Sequence, residues 1–137
     1  MPSSTGPIID HIGLSVTNLA KAKAFYTKAL EPLGLGVIME IPASVTGDVD
    51  VAGFGRLGGD KGELWIAPGK KTVPHVHLAF VAATRADVNA FHKAALAAGG
   101  KDNGAPGLRP HYHPNYYGAF VLDPDGHNIE AVCHRSE

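Results

Sequence analysis

The first strong pattern in the chain is an alternation of apolar and polar residues across positions 8–16. Ile12, Leu14 and Val16 fall on one side of this segment, and His11 falls on the other side together with small residues. A period of two residues predicts a β-strand with one buried face. The segment therefore opens the chain as a strand whose second face is polar.

An amphipathic helix is predicted directly after this strand. Thr17 or Asn18 is suited to cap its start, and Pro32 with Gly34 marks its end. Apolar residues recur at helical spacing between them: Ala22, Phe25, Tyr26, Ala29, Leu30 and Leu33. Three short segments of strand character then complete a β-α-β-β-β order in the first half: 36–41, 49–54 and 63–67.

The same order restarts after a linker at 68–73 that is rich in Pro, Gly and Lys. Thr84 with Asp87 resembles a capping box at the start of a helix that ends at Gly99. We expect a loop through Gly104 after this helix. The remaining predicted elements are strands at 74–81, 108–113, 116–122 and 128–134, with a tight turn at 123–126.

The two halves also align without a gap, with seven identical residues among the 24 positions from His11 to Gly34. An offset of 66 positions lays His11 on His77, Phe25 on Phe91 and Gly34 on Gly100. Such self-similarity indicates a duplicated unit. We therefore predict an α+β fold of two tandem βαβββ modules, at 8–67 and 74–134, in one domain spanning 1–137. Their free sheet faces would curl into a cup-shaped mixed sheet with the helices on the outside.

The composition argues against nucleic acid and membranes as partners. Twelve Lys and Arg balance thirteen Asp and Glu, so no basic field exists for nucleic acid and no cationic face for a membrane. Cys133 is the only cysteine and cannot form an intrachain disulfide, and the start of the chain lacks the pattern of a signal peptide. These features favour a cytoplasmic protein without a nucleic-acid or membrane partner.

Side chains on the free faces are the candidates for chemistry. If apolar residues face the helices, His11, Glu63, His77 and Glu130 face the cup, and Trp65 lies beside them. Glu63 and Glu130 lie 67 positions apart and are interpreted as repeat equivalents after one inserted residue. Two imidazoles and two carboxylates suit a divalent metal. The alternative is that the histidines are ordinary polar groups at strand starts and that Glu63 is a solvated turn carboxylate.

The segment 104–118 has no counterpart in the first half, and we expect it to lie at the mouth of the cup. Arg109 is suited to hold a substrate carboxylate, and His111 or His113 to transfer a proton. Tyr116 and Tyr117 add aromatic surface for a substrate. The alternative is a polar aromatic loop that packs on the helix or on a partner chain.

The segments DHIGLSV and FVLDPDGHNIEAV, with AFY and a Leu-Gly pair between them, resemble the vicinal oxygen chelate superfamily. This superfamily includes glyoxalase I, methylmalonyl-CoA epimerase, the fosfomycin resistance enzymes, extradiol dioxygenases and bleomycin-sequestering proteins. The resemblance implies metal ligands on the first and fourth strands of each module. These positions hold His11, Glu63, His77 and Glu130, a set similar to that of glyoxalase I. Without Glu63 the set is similar to that of the fosfomycin enzymes and the extradiol dioxygenases.

The resemblance implies an enzyme that uses Zn, Ni, Mn or Fe(II) to chelate neighbouring oxygens of its substrate. Lyase or isomerase chemistry is favoured, with Glu130 or Glu63 moving a proton. One alternative is an Fe(II) extradiol-type oxygenase. Another is a metal-free binding or resistance protein that holds a flat ligand with Trp65, Tyr116 and Tyr117. We expect a homodimer, and the sequence leaves open whether the cup closes within one chain or between two.

Overall fold

The computed structural model describes residues 7–137, and its order of elements repeats once. The first module contains β1 (Ile12–Val16), α1 (Leu19–Leu30), a 3-10 turn (Glu31–Leu33), β2 (Leu35–Ile41), α2 (Ala43–Thr46), β3 (Val51–Arg56) and β4 (Leu64–Pro68). The second contains β5 (His77–Val81), α3 (Arg85–Ala97), β6 (Lys101–Leu108), β7 (Tyr117–Leu122) and β8 (Asn128–Cys133). No helix within 7–137 has both the length and the apolar character needed to cross a membrane.

Each module forms its own four-stranded mixed sheet. The strand orders are β1-β4-β3-β2 and β5-β8-β7-β6, and the first strand of each module runs parallel to the fourth. This confirms the predicted α+β fold of two tandem βαβββ modules. The two sheets are separate in the described residues, because β1 and β5 are edge strands that do not pair with each other.

Both long helices begin at the residues that the sequence indicates. The side chain of Asn18 accepts a hydrogen bond from the backbone N–H of Lys21, and that of Thr84 accepts one from Asp87. These bonds satisfy backbone donors that the first turn of a helix leaves free. Gly34 ends the first helical segment with a φ of 78°, a left-handed conformation that glycine adopts without strain.

The region after α3 differs from the prediction. The structure has strand β6 at Lys101–Leu108, where a loop was expected, and turns follow Leu108, where the strand 108–113 was expected. The register of β6 on β7 shifts on both sides of Gly104, whose φ is 153°. These irregularities break the period-two pattern by which a strand is recognised.

The two modules share one hydrophobic core, in which α1 and α3 pack against each other. Polar contacts join the modules as well. The Tyr26 hydroxyl in α1 donates to the buried carboxylate of Asp123, and Thr17 donates from its backbone N–H and its hydroxyl to Asp125. The helices therefore hold the modules together on one side of each sheet, and the opposite sheet faces carry the exposed side chains of His11 and His77.

Candidate metal site on the free sheet faces

The alternation predicted for the fourth strands is observed. Leu64 and Ile66 are buried in the core, and Trp65 between them is half-buried on the opposite face. Ile129 and Ala131 are likewise buried against the helix side of the second module. Residues that alternate with them stand on the free face of each sheet.

On the free face of the second module, which is the sheet face opposite the helices, Glu130 contacts both His77 and Tyr116. Only 1% of this residue is exposed. Its Oε1 lies 2.9 Å from Nε2 of His77, and its Oε2 accepts a hydrogen bond from the hydroxyl of Tyr116. A Cβ added at Gly118 would lie 3.1 Å from Oε2 of Glu130 and 3.2 Å from the Tyr116 ring, so a glycine makes room for this group.

The electrostatics of this group favour a cation. Burial raises the pKa of the Tyr116 hydroxyl, and its hydrogen bond to Glu130 raises it further, so the phenol stays neutral. Among the described residues the ion-pair partner of Glu130 is His77, half of whose side chain is exposed. A carboxylate this deeply buried is costly when its ionic partner is a partly exposed imidazole, and a divalent ion bound by it would lower that cost. The donor set therefore fits a metal.

The first module presents His11 in a different setting. Its Nδ1 lies 2.7 Å from Oδ1 of Asp10, a carboxylate that is also 3.1 Å from Nζ of Lys61. The bond from His11, followed by that from Lys61, lowers the pKa of Asp10. Asp10 thus fixes one nitrogen of the exposed imidazole, and the other remains available as a metal ligand.

The strand register corrects the expected equivalence of Glu63 and Glu130. Gly13 of β1 pairs with Trp65, and its repeat equivalent Ala79 of β5 pairs with Glu130. Trp65 therefore occupies the position that corresponds to Glu130, and the exposed Glu63 lies just before β4. Spacing along the chain could not decide this, because counting from His11 gives 52 positions to Glu63 and 54 to Trp65, against 53 from His77 to Glu130.

The indole of Trp65 packs closely against two glycines of the first module. A Cβ built on Gly53 would come within 2.8 Å of its ring, and one built on Gly62 within 2.6 Å. Gly53 is the cross-strand partner of Trp65 in β3. The missing side chains of these glycines thus let the indole rest directly on the backbone.

Arg109, expected to hold a substrate carboxylate, binds its own loop. Its Nη1 donates to the carbonyl of Gly107 at 2.9 Å and its Nη2 to that of Ala105 at 2.8 Å. Its guanidinium also lies over the ring of Phe120, 5.4 Å from the centroid. Arg109 therefore stabilises the segment before the site, and Phe120 lies beside the site, with its ring centroid 6.1 Å from that of His77. Phe120 is not among the residues predicted from the sequence, although its alternation with Ala119 and Val121 could have indicated it.

The histidines of the unrepeated segment form a separate group. Nδ1 of His113 accepts the backbone N–H of Asn115, and its Nε2 lies 2.7 Å from Nδ1 of His134. Neutral His113 must then carry its proton on Nε2. Tyr116 packs edge-on against His113, whereas His111 is exposed and packs on Tyr112.

Tyr117 does not lie on the free face. Its hydroxyl donates to Oδ1 of Asn89 in α3 at 2.7 Å, and the guanidinium of Arg85 lies 5.2 Å from its ring centroid. It pairs across the sheet with Cys133, which is buried on the helix side. The expectation that Tyr116 and Tyr117 both line the cup is therefore corrected: only Tyr116 does.

The candidate ligands of the two modules are not gathered within one chain. Across residues 7–137, no three histidine, cysteine or acidic side chains come close enough to form a metal site. His77 and Glu130 are in contact, while His11 and Glu63 belong to the other sheet. Completing a site that uses both modules requires their free faces to meet.

Comparisons with known proteins agree with this fold. The family model of the Glyoxalase/Bleomycin resistance protein/Dioxygenase superfamily matches residues 8–131, and the chain belongs to this superfamily. The expected resemblance to the vicinal oxygen chelate superfamily is thereby confirmed. No curated protein matches the chain.

Several solved structures share the architecture. A glyoxalase/bleomycin resistance protein from Albidiferax ferrireducens is 26% identical, with 93% of this chain and 98% of that chain covered and a TM-score of 0.72. A variant of glyoxalase I from Zea mays is 23% identical, with 90% of this chain and 46% of that chain covered and a TM-score of 0.69. A glyoxalase/bleomycin resistance protein/dioxygenase family enzyme from Burkholderia phytofirmans is 17% identical, with 92% and 98% covered and a TM-score of 0.67.

Proposed function

We propose that this protein is a small-molecule enzyme that binds a divalent metal with His11, His77 and Glu130. The observation that carries the proposal is the buried carboxylate of Glu130, held 2.9 Å from the imidazole of His77 on the sheet face opposite the helices. Two histidines and one carboxylate leave coordination positions open for substrate. Zn, Ni, Mn and Fe(II) all accept this ligand set.

We further propose that the site is completed in a homodimer, the first module of one chain closing on the second module of its partner. The two sheets are separate in one chain, and the packing of α1 on α3 and the bonds of Tyr26 and Thr17 hold the modules in that arrangement. A symmetric pair of chains would form two such sites. The buried lone Cys133 and the balanced charge fit a cytoplasmic location.

When bound, the metal would act as a Lewis acid on neighbouring oxygens of the substrate, which suits lyase or isomerase chemistry. Tyr116 would hold one oxygen of Glu130 and thereby aim the other at the site. His113 would hold the imidazole of His134 through their hydrogen bond, and this pair, Glu63 and His111 would supply acid or base groups. Arg109 holds the segment before Tyr116 in place and offers a positive charge to an anionic substrate.

An Fe(II) oxygenase is the second candidate. The register supports it, because Trp65 in place of a second carboxylate leaves three ligands, the number in two-histidine, one-carboxylate iron sites. A metal-free binding protein is the third candidate, favoured by the half-buried indole of Trp65 on the free face.

Metal titration tests the proposal. Purified protein freed of metal is titrated with Mn²⁺, Ni²⁺, Zn²⁺ and anaerobic Fe²⁺ by calorimetry, in parallel with Glu130→Gln and Glu63→Gln. We expect wild type and Glu63→Gln to bind with similar affinity and Glu130→Gln to bind at least about 100-fold more weakly, since it loses a charged ligand. Absence of binding by wild type would favour the metal-free binder. Oxygen uptake with catechols in the Fe²⁺ form, and not in the other forms, would favour the oxygenase.

A further inference from the structure

Trp65 occupies the position in the first module that the carboxylate of Glu130 occupies in the second. Its partner Gly13 corresponds to Ala79, the partner of Glu130, so the indole and the buried carboxylate are equivalents in the two modules. The free face of the first module therefore offers an aromatic plane where the second offers a charge. The strand pairing is the same in the two modules at this position, but the side chains differ in chemistry.

The indole of Trp65 packs on the protein backbone, and part of its ring remains exposed to solvent. It rests on the backbone of Gly53 and Gly62, where a Cβ would lie within 2.8 and 2.6 Å of the ring. A tryptophan used only for packing would point to the helix side with Leu64 and Ile66, both of which are buried. Trp65 instead remains half-buried on the free face of the sheet.

We infer that Trp65 is a specificity-determining residue, and that the substrate carries a flat, unsaturated group that stacks on the indole while its neighbouring oxygens face the proposed metal site, to which the second chain of the dimer contributes His77 and Glu130. The inference rests on the proposed function, because the oxygens are placed by the proposed metal site. Stacking on an indole favours a planar ring over a puckered one of similar size. The indole also supplies no ligand, so the coordination position that a carboxylate would occupy stays open to the substrate.

The test compares two probes with the same chelating head. Mandelate and hexahydromandelate are both α-hydroxy acids, and they differ in that the first carries a planar phenyl ring and the second a puckered cyclohexyl ring. Their affinities for wild type, Trp65→Phe and Trp65→Leu are measured by calorimetry with saturating Ni²⁺ and again without metal. Circular dichroism and metal affinity verify that each variant is folded and loaded.

We expect wild type to bind mandelate roughly threefold to tenfold more tightly than hexahydromandelate, the preference that one aromatic contact provides. Trp65→Phe should keep this preference and Trp65→Leu should lose it. Equal affinities in wild type, or a preference that survives in Trp65→Leu, would overturn the inference.

Comparing the titrations with and without Ni²⁺ distinguishes the proposed metal function from the proposed role of Trp65. Suppose wild type binds mandelate equally tightly with and without Ni²⁺, and its preference for mandelate depends on Trp65. Stacking on Trp65 is then supported, and the proposed metal function fails. If binding requires Ni²⁺ and Trp65→Leu has the same preference as wild type, the metal function stands and the inference fails. Loss of the preference only in Trp65→Leu, together with dependence on Ni²⁺, supports both.

The tryptophan also provides a direct optical readout. Trp65 is the only tryptophan in the chain, so intrinsic fluorescence reports on this site alone. Mandelate should change the emission of loaded wild type with the same midpoint that calorimetry gives, because the phenyl ring contacts the indole. An emission that stays constant through saturation by mandelate would contradict stacking.

Discussion

Removing the hydroxyl of Tyr116 should weaken metal binding without changing any proposed ligand. In Tyr116→Phe the ring that packs against His113 is kept, and only the hydrogen bond to Oε2 of Glu130 is lost. Glu130 is 1% exposed, so water cannot easily replace the missing donor. The carboxylate would then be oriented by His77 alone.

The size of the effect follows from the type of bond. Hydrogen bonds to charged groups contribute about 1.5–3 kcal/mol. Outer partners of metal ligands typically change metal affinity by about 10–100-fold. We therefore expect the Ni²⁺ dissociation constant of Tyr116→Phe to rise by about 10–100-fold, with the same number of metal ions bound at saturation.

Tyr117→Phe is the matched control, since it makes the same chemical change at the adjacent residue. The hydroxyl of Tyr117 bonds to Asn89 on the helix side, away from Glu130. Competition titration against a chromophoric chelator should give a dissociation constant within about twofold of wild type, because the two hydroxyls bond to different partners, Asn89 and Glu130. Equal loss of affinity in the two variants, or unchanged affinity in Tyr116→Phe, would refute the orienting role of Tyr116.

Three further predictions concern the scaffold. Gly53→Ala should displace the indole of Trp65, because the new Cβ would lie 2.8 Å from the ring; the emission maximum should move to longer wavelength, and an unchanged maximum in a folded variant would contradict the packing. Burial raises the pKa of Tyr26 above its ordinary value, so its contribution to stability is complete below about pH 10 and is lost as the pH rises above that, by up to about 1.4 kcal/mol per pH unit. Urea unfolding should therefore show a shallower alkaline decline in Tyr26→Phe, and identical slopes would disprove this role. Asp125→Ala should lower the free energy of unfolding by about 1–3 kcal/mol, since the backbone N–H and hydroxyl of Thr17 lose their acceptor; a loss below about 0.5 kcal/mol, as at ordinary surface sites, would show that the contact is not needed.

The sequence predicts the helices and most strands because their signals are local. Side-chain caps at Asn18 and Thr84 and an apolar stripe that includes Phe25 and Phe91 are enough to place α1 and α3. Strand β6 was missed because Gly104 and its register shifts interrupt the alternation. Its stability comes from pairing with β7, a non-local interaction that composition does not reveal.

The candidate site was partly predictable for a related reason. Glu130 and His77 follow from alternation within single strands, and the structure places them in contact. The equivalence of Trp65 with Glu130 depends on how strands pair, and chain spacing fits Glu63 equally well. A shift of one residue moves a side chain to the other face, and a shift of two keeps the face but changes the neighbour.

The central claim is a metal site built from the first module of one chain and the second module of another. Two variants that each lack one proposed ligand test it directly when they are combined. In a mixed dimer of His11→Ala and Glu130→Gln, one site carries both substitutions, and the other combines the intact His11 of one chain with the intact His77 and Glu130 of its partner. Co-expression with two affinity tags isolates these mixed dimers, and metal content is measured after dialysis against limiting Ni²⁺. The proposal predicts two ions per wild-type dimer, none for either variant alone and one per mixed dimer; a mixed dimer that binds none would contradict a site shared between chains.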